Sequence, residues 1–190
     1  DENTAQLAFE AGDIHYTRVP MSSVANLKDS PPANSMVEEY PSLYYVWVGM
    51  NVENELLSNQ NLRKAIQHAI DVPSIMQASY FGAAVPSTGI IAPGLTGHRA
   101  ESLVAPEANV ARAKEYLDAS GLSGNVRVTL DILNKAANVT TAQVIQANLA
   151  QVGITLDINL HESGAFWSLG DDTAGDRYKD IQLILNRYSM

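Results

Sequence analysis

Four histidines are the first residues to test for chemistry, and their spacing argues against it. His15, His68, His98 and His161 are never separated by the one or three residues that would aim two imidazoles at one metal. His68 lies beside an apolar helix stripe and reads as a surface or boundary residue. The chain has no cysteine, which excludes disulfides, thiolate zinc sites and a cysteine nucleophile together. Neither a nucleophile elbow, a P-loop nor a dinucleotide fingerprint occurs. Asp171, Asp172 and Asp176 match a calcium loop in charge alone, without its oxygen spacing or terminal Glu, so a solvated acidic turn is expected. Neither a resident metal or cofactor nor a catalytic pair is expected.

Binding chemistry has better candidates. Asn134, Lys135 and Asn138 stand where a strand gives way to a helix, so backbone N–H groups and the positive helix end would favour an anion there. The plainer reading makes Asn138 the N-cap of a helix beginning at Val139, and it is preferred because Asn is a favoured cap. Phe166 and Trp167 follow another strand at the same end, and Trp167 reads equally as pocket floor or core. Arg187 and Tyr188 emerge from the last strand, either facing a cleft to hold an anionic or polar group or simply exposed at a chain end. Trp47 sits inside an apolar run and reads as core.

The elements that must position these residues follow from hydrophobic period. Val126, Val128, Leu130 and Ile132 alternate with polar residues, which predicts a strand over 126–132. Val139, Ala142, Ile145, Leu149 and Val152 recur every three or four positions, which predicts a helix over 139–152. After Gly153 the alternation returns at Ile154, Leu156, Ile158 and Leu160. Strand, helix and strand make a βαβ unit, so the two strands are expected to be parallel. Ligands in such sheets sit beyond the strands' carboxyl ends. The loop "NKAANV" would therefore lie at the functional end and Gly153 at the opposite one.

The same reading places short helices at 3–11 and 21–28 around a short strand at 14–19, then a Pro-rich linker, "KDSPPANS". A strand over 42–52 reads as covered on both faces, because "SLYYVWVGMNV" is apolar throughout. A helix with the stripe Leu62, Ala65, Ile66, Ala69 and Ile70 follows, capped by Asn59 or Asn61, and a second helix runs from Pro73 to Gly82. Residues 83–100 read as loop; Pro106 is expected at the first position of a helix ended by Gly121. A helical turn near "SGAFWSL" and a strand over "DIQLILN" complete the chain. This alternation predicts an α/β layered domain.

Composition narrows the partners. With 46% hydrophobic and 17% charged residues, the 190-residue chain can bury a sizeable core. A formal net charge of −9 with scattered Lys and Arg argues against nucleic acid. The ends, "DENTAQLAFEAGDI" and "KDIQLILNRYSM", suggest an excerpt of a longer chain.

Several segments, in order, resemble the family 5 extracellular solute-binding proteins, the oligopeptide, dipeptide and nickel group. In "ENELLSNQNLRKAIQHAIDVPSIMQASYFGAAVPS" the residues Leu62, Arg63, Ala65, Ala69, Ile70, Asp71, Ile75, Gly82, Ala84 and Pro86, with Asn51 before them, match the family pattern. "AQLAFEAGDIHYTRVP", "NVARAKEYLDASGLSG" and "AQVIQANLAQVGITLDI" also resemble family elements, with His15 where an Asp is usual and "LLSNQN" where "PF" is common. The resemblance implies a periplasmic-binding-protein-like (type II) lobe, with a mixed, mostly parallel sheet flanked by helices. Residues 1–35 would be the tail of the first lobe and the hinge approach, and 36–190 the second large lobe, incomplete at its carboxyl end. It further implies a monomeric, non-enzymatic component of an ABC importer, periplasmic or lipid-anchored. Such a component captures a peptide-like or other small polar solute and delivers it to a membrane permease. Asn134–Asn138 and Arg187–Tyr188 are where family members tend to meet ligand. The alternatives are the sensor domain of a regulator with this fold, or an enzyme whose catalytic residues lie partly outside the chain.

Overall fold

A computed structural model describes residues 2–40, 43–122, 124–171 and 176–189, without the side chains of 176, 177 and 189. Its helices are α1 (Glu2–Glu10), α2 (Val24–Asp29), α3 (Gln60–Ala69), α4 (Val72–Tyr80), α5 (Val110–Ala119), α6 (Ala136–Ala150) and α7 (Ser163–Trp167). The strands are β1 (Tyr44–Met50), β2 (Val126–Leu133), β3 (Ile154–His161) and β4 (Leu183–Ser189). They form one sheet in the order β1-β4-β2-β3, with β1 antiparallel to β4 and the other two pairings parallel. The expected mixed, mostly parallel sheet is present, and the last strand is inserted between the first and second.

Alternation along each strand decides what the sheet buries. Val126, Val128, Leu130 and Ile132 of β2, Ile154 and Leu156 of β3, and Leu183 and Leu185 of β4 are all buried. They share one core with Leu62, Ala65, Ile66 and Ala69 of α3, Ala113 of α5, and Ala142, Ile145 and Leu149 of α6. Burying each Val, Leu or Ile side chain here contributes roughly 1.5–3 kcal/mol, which makes this layer the main stabilising contact. Among the described helices, α7 packs on the other face near the ends of β2 and β3, through Phe166 at 2% exposed. No described helix is long and apolar enough to cross a membrane.

Capping sets the helix starts. Asn59 accepts from the N–H groups of Asn61 and Leu62, so it and not Asn61 caps α3. Asp71 accepts from Ser74 to cap α4, and its other oxygen takes the N–H of Ala108 at 3.0 Å. Asn109 caps α5 through Arg112 N–H, so Pro106 is not the first helical residue: the helix begins four residues later, at the better cap. The α6 helix begins at Ala136 and not at Val139. Asn138 is therefore inside the first turn and no N-cap; its amide turns back to donate to the Leu133 carbonyl at 3.2 Å. The expected six-residue loop shrinks to Asn134 and Lys135.

Two strand expectations also change. Residues 14–19 form no strand, because no neighbouring strand offers them a ladder, and His15 and Tyr16 are exposed. β1 is not covered on both faces. It is an edge strand without a fully buried residue, and its apolar run reflects strand propensity with one packed side. Trp47 is accordingly half-buried rather than core; its ring lies over Gly49, where a side chain would collide with it and with Ile184. α1 and α2 bury no residue. The expected solvated acidic turn falls largely outside the described residues, which omit Asp172 and the Asp176 side chain.

Candidate functional site at the carboxyl ends of the strands

The register defines one end of the sheet. Ile132 pairs with Leu185, and Leu133 with His161, so Arg187 and Tyr188 of β4 project past the end of β2. β1 runs the other way, and its first residues, Tyr44 and Tyr45, arrive at this end beside Ser189 and Tyr188. Asn134 and Lys135 bridge β2 to α6 here, and α7 begins just beyond β3. Gly153 turns the chain at the far end with φ +85°, a conformation that glycine adopts without strain. Two surface grooves, one of about 410 Å³ beside β1 and α3 and one at the outer edge of β3, also lie toward the far end.

Side chains at this end divide between the two faces. Arg187 follows buried Leu183 and Leu185 on the helix-covered side, where it is exposed and its guanidinium carbon lies 5.4 Å from the Tyr44 ring centroid. α4 runs antiparallel to α6, tied at one end by Asp71 N–H to the Asn148 side chain and at the other by Thr141 to Ser79 at 2.8 Å. That packing delivers Tyr80, the last residue of α4, to the same side. Burial pushes the Tyr80 hydroxyl above its ordinary pKa, while the Thr141 hydrogen bond and the positive Arg187 oppose it. Phe81 follows with φ 52° and a 57% exposed ring, a left-handed conformation uncommon for so large a residue.

On the opposite face, Tyr188 meets Tyr45 edge-on at 6.2 Å and is 54% exposed. Asp131 is 6% exposed and accepts from His161 Nε2 at 2.7 Å and from the Asn159 amide at 3.2 Å. His161 in turn lies 6.5 Å from the buried Phe166 ring. Trp167 is 59% exposed and packs edge-on against Phe166 at 5.1 Å. The core reading of Trp167 therefore fails, because Phe166 takes the inward position. Asn134 donates to Glu162 Oε1 at 2.8 Å, bracing the start of α7, and Lys135 is exposed at the cap position of α6.

The six expected residues thus share an end of the sheet without forming one constellation. Arg187 stands apart from Tyr188 and Trp167, which occupy the other face. Sequence reasoning missed Tyr44, Tyr80 and the Asp131–His161 pair. The last was legible in part, since Asp131 and His161 sit on the polar side of two alternating strands two positions apart in register. Elsewhere, His68 is half-buried and stacked on Tyr116 at 5.4 Å, and His98 bonds the Ile91 carbonyl. Among the described residues no group of three His, Asp or Glu side chains could hold a metal.

Residues 1–184 match the profile described as bacterial extracellular solute-binding proteins, family 5 middle. The chain belongs to that family. The glutathione-binding protein GsiB of Shigella flexneri serotype 5b is 25% identical over 166 residues, 86% of this chain and 32% of that relative. This chain therefore spans about a third of the length of the curated relatives that it matches. The ABC transporter substrate-binding protein CtaP of Listeria monocytogenes superposes over 99% of this chain and 38% of its own, with a TM-score of 0.82 and 22% identity. The Helicobacter pylori periplasmic binding protein DppA, solved with the peptide STSA, superposes over all of this chain and 35% of its own, with a TM-score of 0.80 and 25% identity. The fold is that of a type II periplasmic-binding-protein lobe.

Proposed function

We propose that this chain is the second large lobe of a solute-binding protein that serves an ABC importer, with residues 1–35 as the end of the first lobe and the approach to the hinge. The observation that carries the reading is the family match over residues 1–184. The open carboxyl end of the sheet, edged by Tyr44, Tyr80, Arg187 and Tyr188, supports it as one wall of a cleft. The solute is peptide-like or another small polar molecule, as for the glutathione- and peptide-binding relatives. The protein works outside the cytoplasmic membrane, in a periplasm or on a lipid anchor. It acts as a monomer that hands solute to a membrane permease and catalyses no reaction. Ligand would bridge the two lobes and shift an open–closed equilibrium through its higher affinity for the closed state.

The test is calorimetric titration of the full-length protein with short peptides, glutathione, opine-type amino acids, oligosaccharides and chelated metals. Saturable binding of one class, without turnover, is expected. Turnover of a substrate by a protein that binds none of these solutes would overturn the transport reading.

A further inference from the structure

At the carboxyl end of the sheet, Arg187 is a cation that the fold holds in place without an acidic partner among the described residues. Acidic residues outnumber basic ones by 21 to 12, and three of the described lysines and arginines form ion pairs. Arg127 pairs with Asp157, Arg112 with Glu115 and Lys28 with Glu39. Arg63 turns inward to the carbonyls of Leu57 and Ser58. Like Lys64 and Lys135, Arg187 has no carboxylate within ion-pairing distance among the described residues. It is nevertheless placed, on a strand rather than a loop, with its guanidinium against the Tyr44 ring. Tyr80 ends α4 on the same side, near enough for the Arg187 charge to act on its hydroxyl, a group able to donate. A planar guanidinium with its fork uncommitted, an aromatic ring behind it and a phenol donor beside it together match a planar or tetrahedral oxyanion.

We infer that Arg187, backed by Tyr44 and flanked by Tyr80, is an anion subsite, and that the solute carries a carboxylate or phosphate group bound there. This rests on the solute-binding reading and narrows it to a ligand class. The site lies on the helix-covered side of the sheet's carboxyl end, with the exposed Phe81 next to Tyr80 in the chain. The anion-bearing end of the solute would therefore point toward the α4–α6 end. Tyr188 and Trp167, on the other face, would take no part in holding the charge.

The experiment uses the full-length protein and matched probes that differ in one charge: trialanine and its carboxyl-terminal amide, glutathione and its diethyl ester, glucose 1-phosphate and glucose. In at least one pair the anion is expected to bind about tenfold to a hundredfold tighter than its neutral partner, as for a charge-assisted hydrogen bond. Arg187→Ala should erase that preference, Arg187→Lys should keep part of it, and the neutral partner's affinity should move by no more than about twofold. The peptide and phosphate pairs tell a carboxylate from a phosphate. Equal affinity within every pair, or a preference that survives Arg187→Ala, overturns the subsite while leaving solute binding intact. An equal loss for both members of a pair makes Arg187 a structural brace and also overturns it. Failure of every probe and of the wider solute panel to bind would remove the solute-binding reading itself.

Discussion

The Asp131 carboxylate has only acceptor atoms, so the His161 nitrogen that faces it at 2.7 Å must carry the proton. The same carboxylate takes the Asn159 amide, and both donors sit on β3. Asp131 therefore ties the carboxyl ends of β2 and β3 and, through the His161–Phe166 contact, steadies α7. Replacing it with Ala leaves two donors without an acceptor, a loss of about 1–3 kcal/mol. His161 is partly open to water, which favours the lower half of that range. Asp131→Asn keeps an acceptor oxygen and should lose less. Urea unfolding of the two variants reads this directly, and equal midpoints for Ala and Asn would sink the account. Asp71 is a second test. Its carboxyl is held below the ordinary value of 3.8, first by the Ser74 hydroxyl and then by the Ala108 N–H, with burial opposing. A depressed folded-state pKa means stability that is present above 3.8 and lost as pH falls through the lower folded value. Asp71→Ala should cost about 1 kcal/mol at neutral pH, the usual worth of a helix cap. The penalty should shrink in strong acid; unfolding curves showing the same penalty at pH 6 and pH 2 would contradict it.

Among the elements, the α6–β3 joint shows how much a pattern can disclose. Gly153 takes φ +85°, yet nothing lies within 4 Å of where a Cβ would sit. Substitution there meets backbone strain alone and no collision. Gly153→Ala should destabilise by about 1–2 kcal/mol, the left-handed cost for an ordinary L-residue, and Gly153→Asn by less. A calorimetric melt ranking Asn below Ala would place the strain elsewhere. The joint was legible because both neighbours are strongly periodic: α6 buries Ala142, Ile145 and Leu149, and β3 buries Ile154 and Leu156. The α6 start was misplaced because Asn138 resembles a cap, whereas Lys135 holds the cap position with no side-chain bond. β1 was legible as a strand but not as an edge. Its partner, β4, comes from the far end of the chain, and nothing local in "YYVWVGM" says that the strand pairs antiparallel on one side only. For the same reason Tyr44 and Tyr80 were invisible as neighbours of Arg187. Each reaches it through a long-range pairing, one across the sheet and one through helix packing.

For the molecule as a whole, the chain spans about a third of its relatives' length, and in the proposed function the Arg187 end is one wall of a cleft. The arithmetic of closure then limits what this wall can do. Driving a two-state equilibrium from 99:1 open to 99:1 closed requires about 10⁴-fold tighter binding to the closed form, roughly 5.5 kcal/mol. A single charged contact supplies about 1.5–3 kcal/mol, so most of the differential affinity must arise where the opposing lobe meets the solute. Two consequences can be separated by small-angle scattering of the full-length protein. Saturating ligand should reduce the radius of gyration of the native protein. Arg187→Ala should raise the ligand concentration needed for half of that change without abolishing it. Losing a factor of about ten from a 99:1 closed ratio still leaves about nine molecules in ten closed. A variant that binds ligand yet stays fully open at saturation would make Arg187 the trigger of closure rather than one anchor among several. A native protein whose dimensions do not change on saturation would show that the solute is held without any clamp at all.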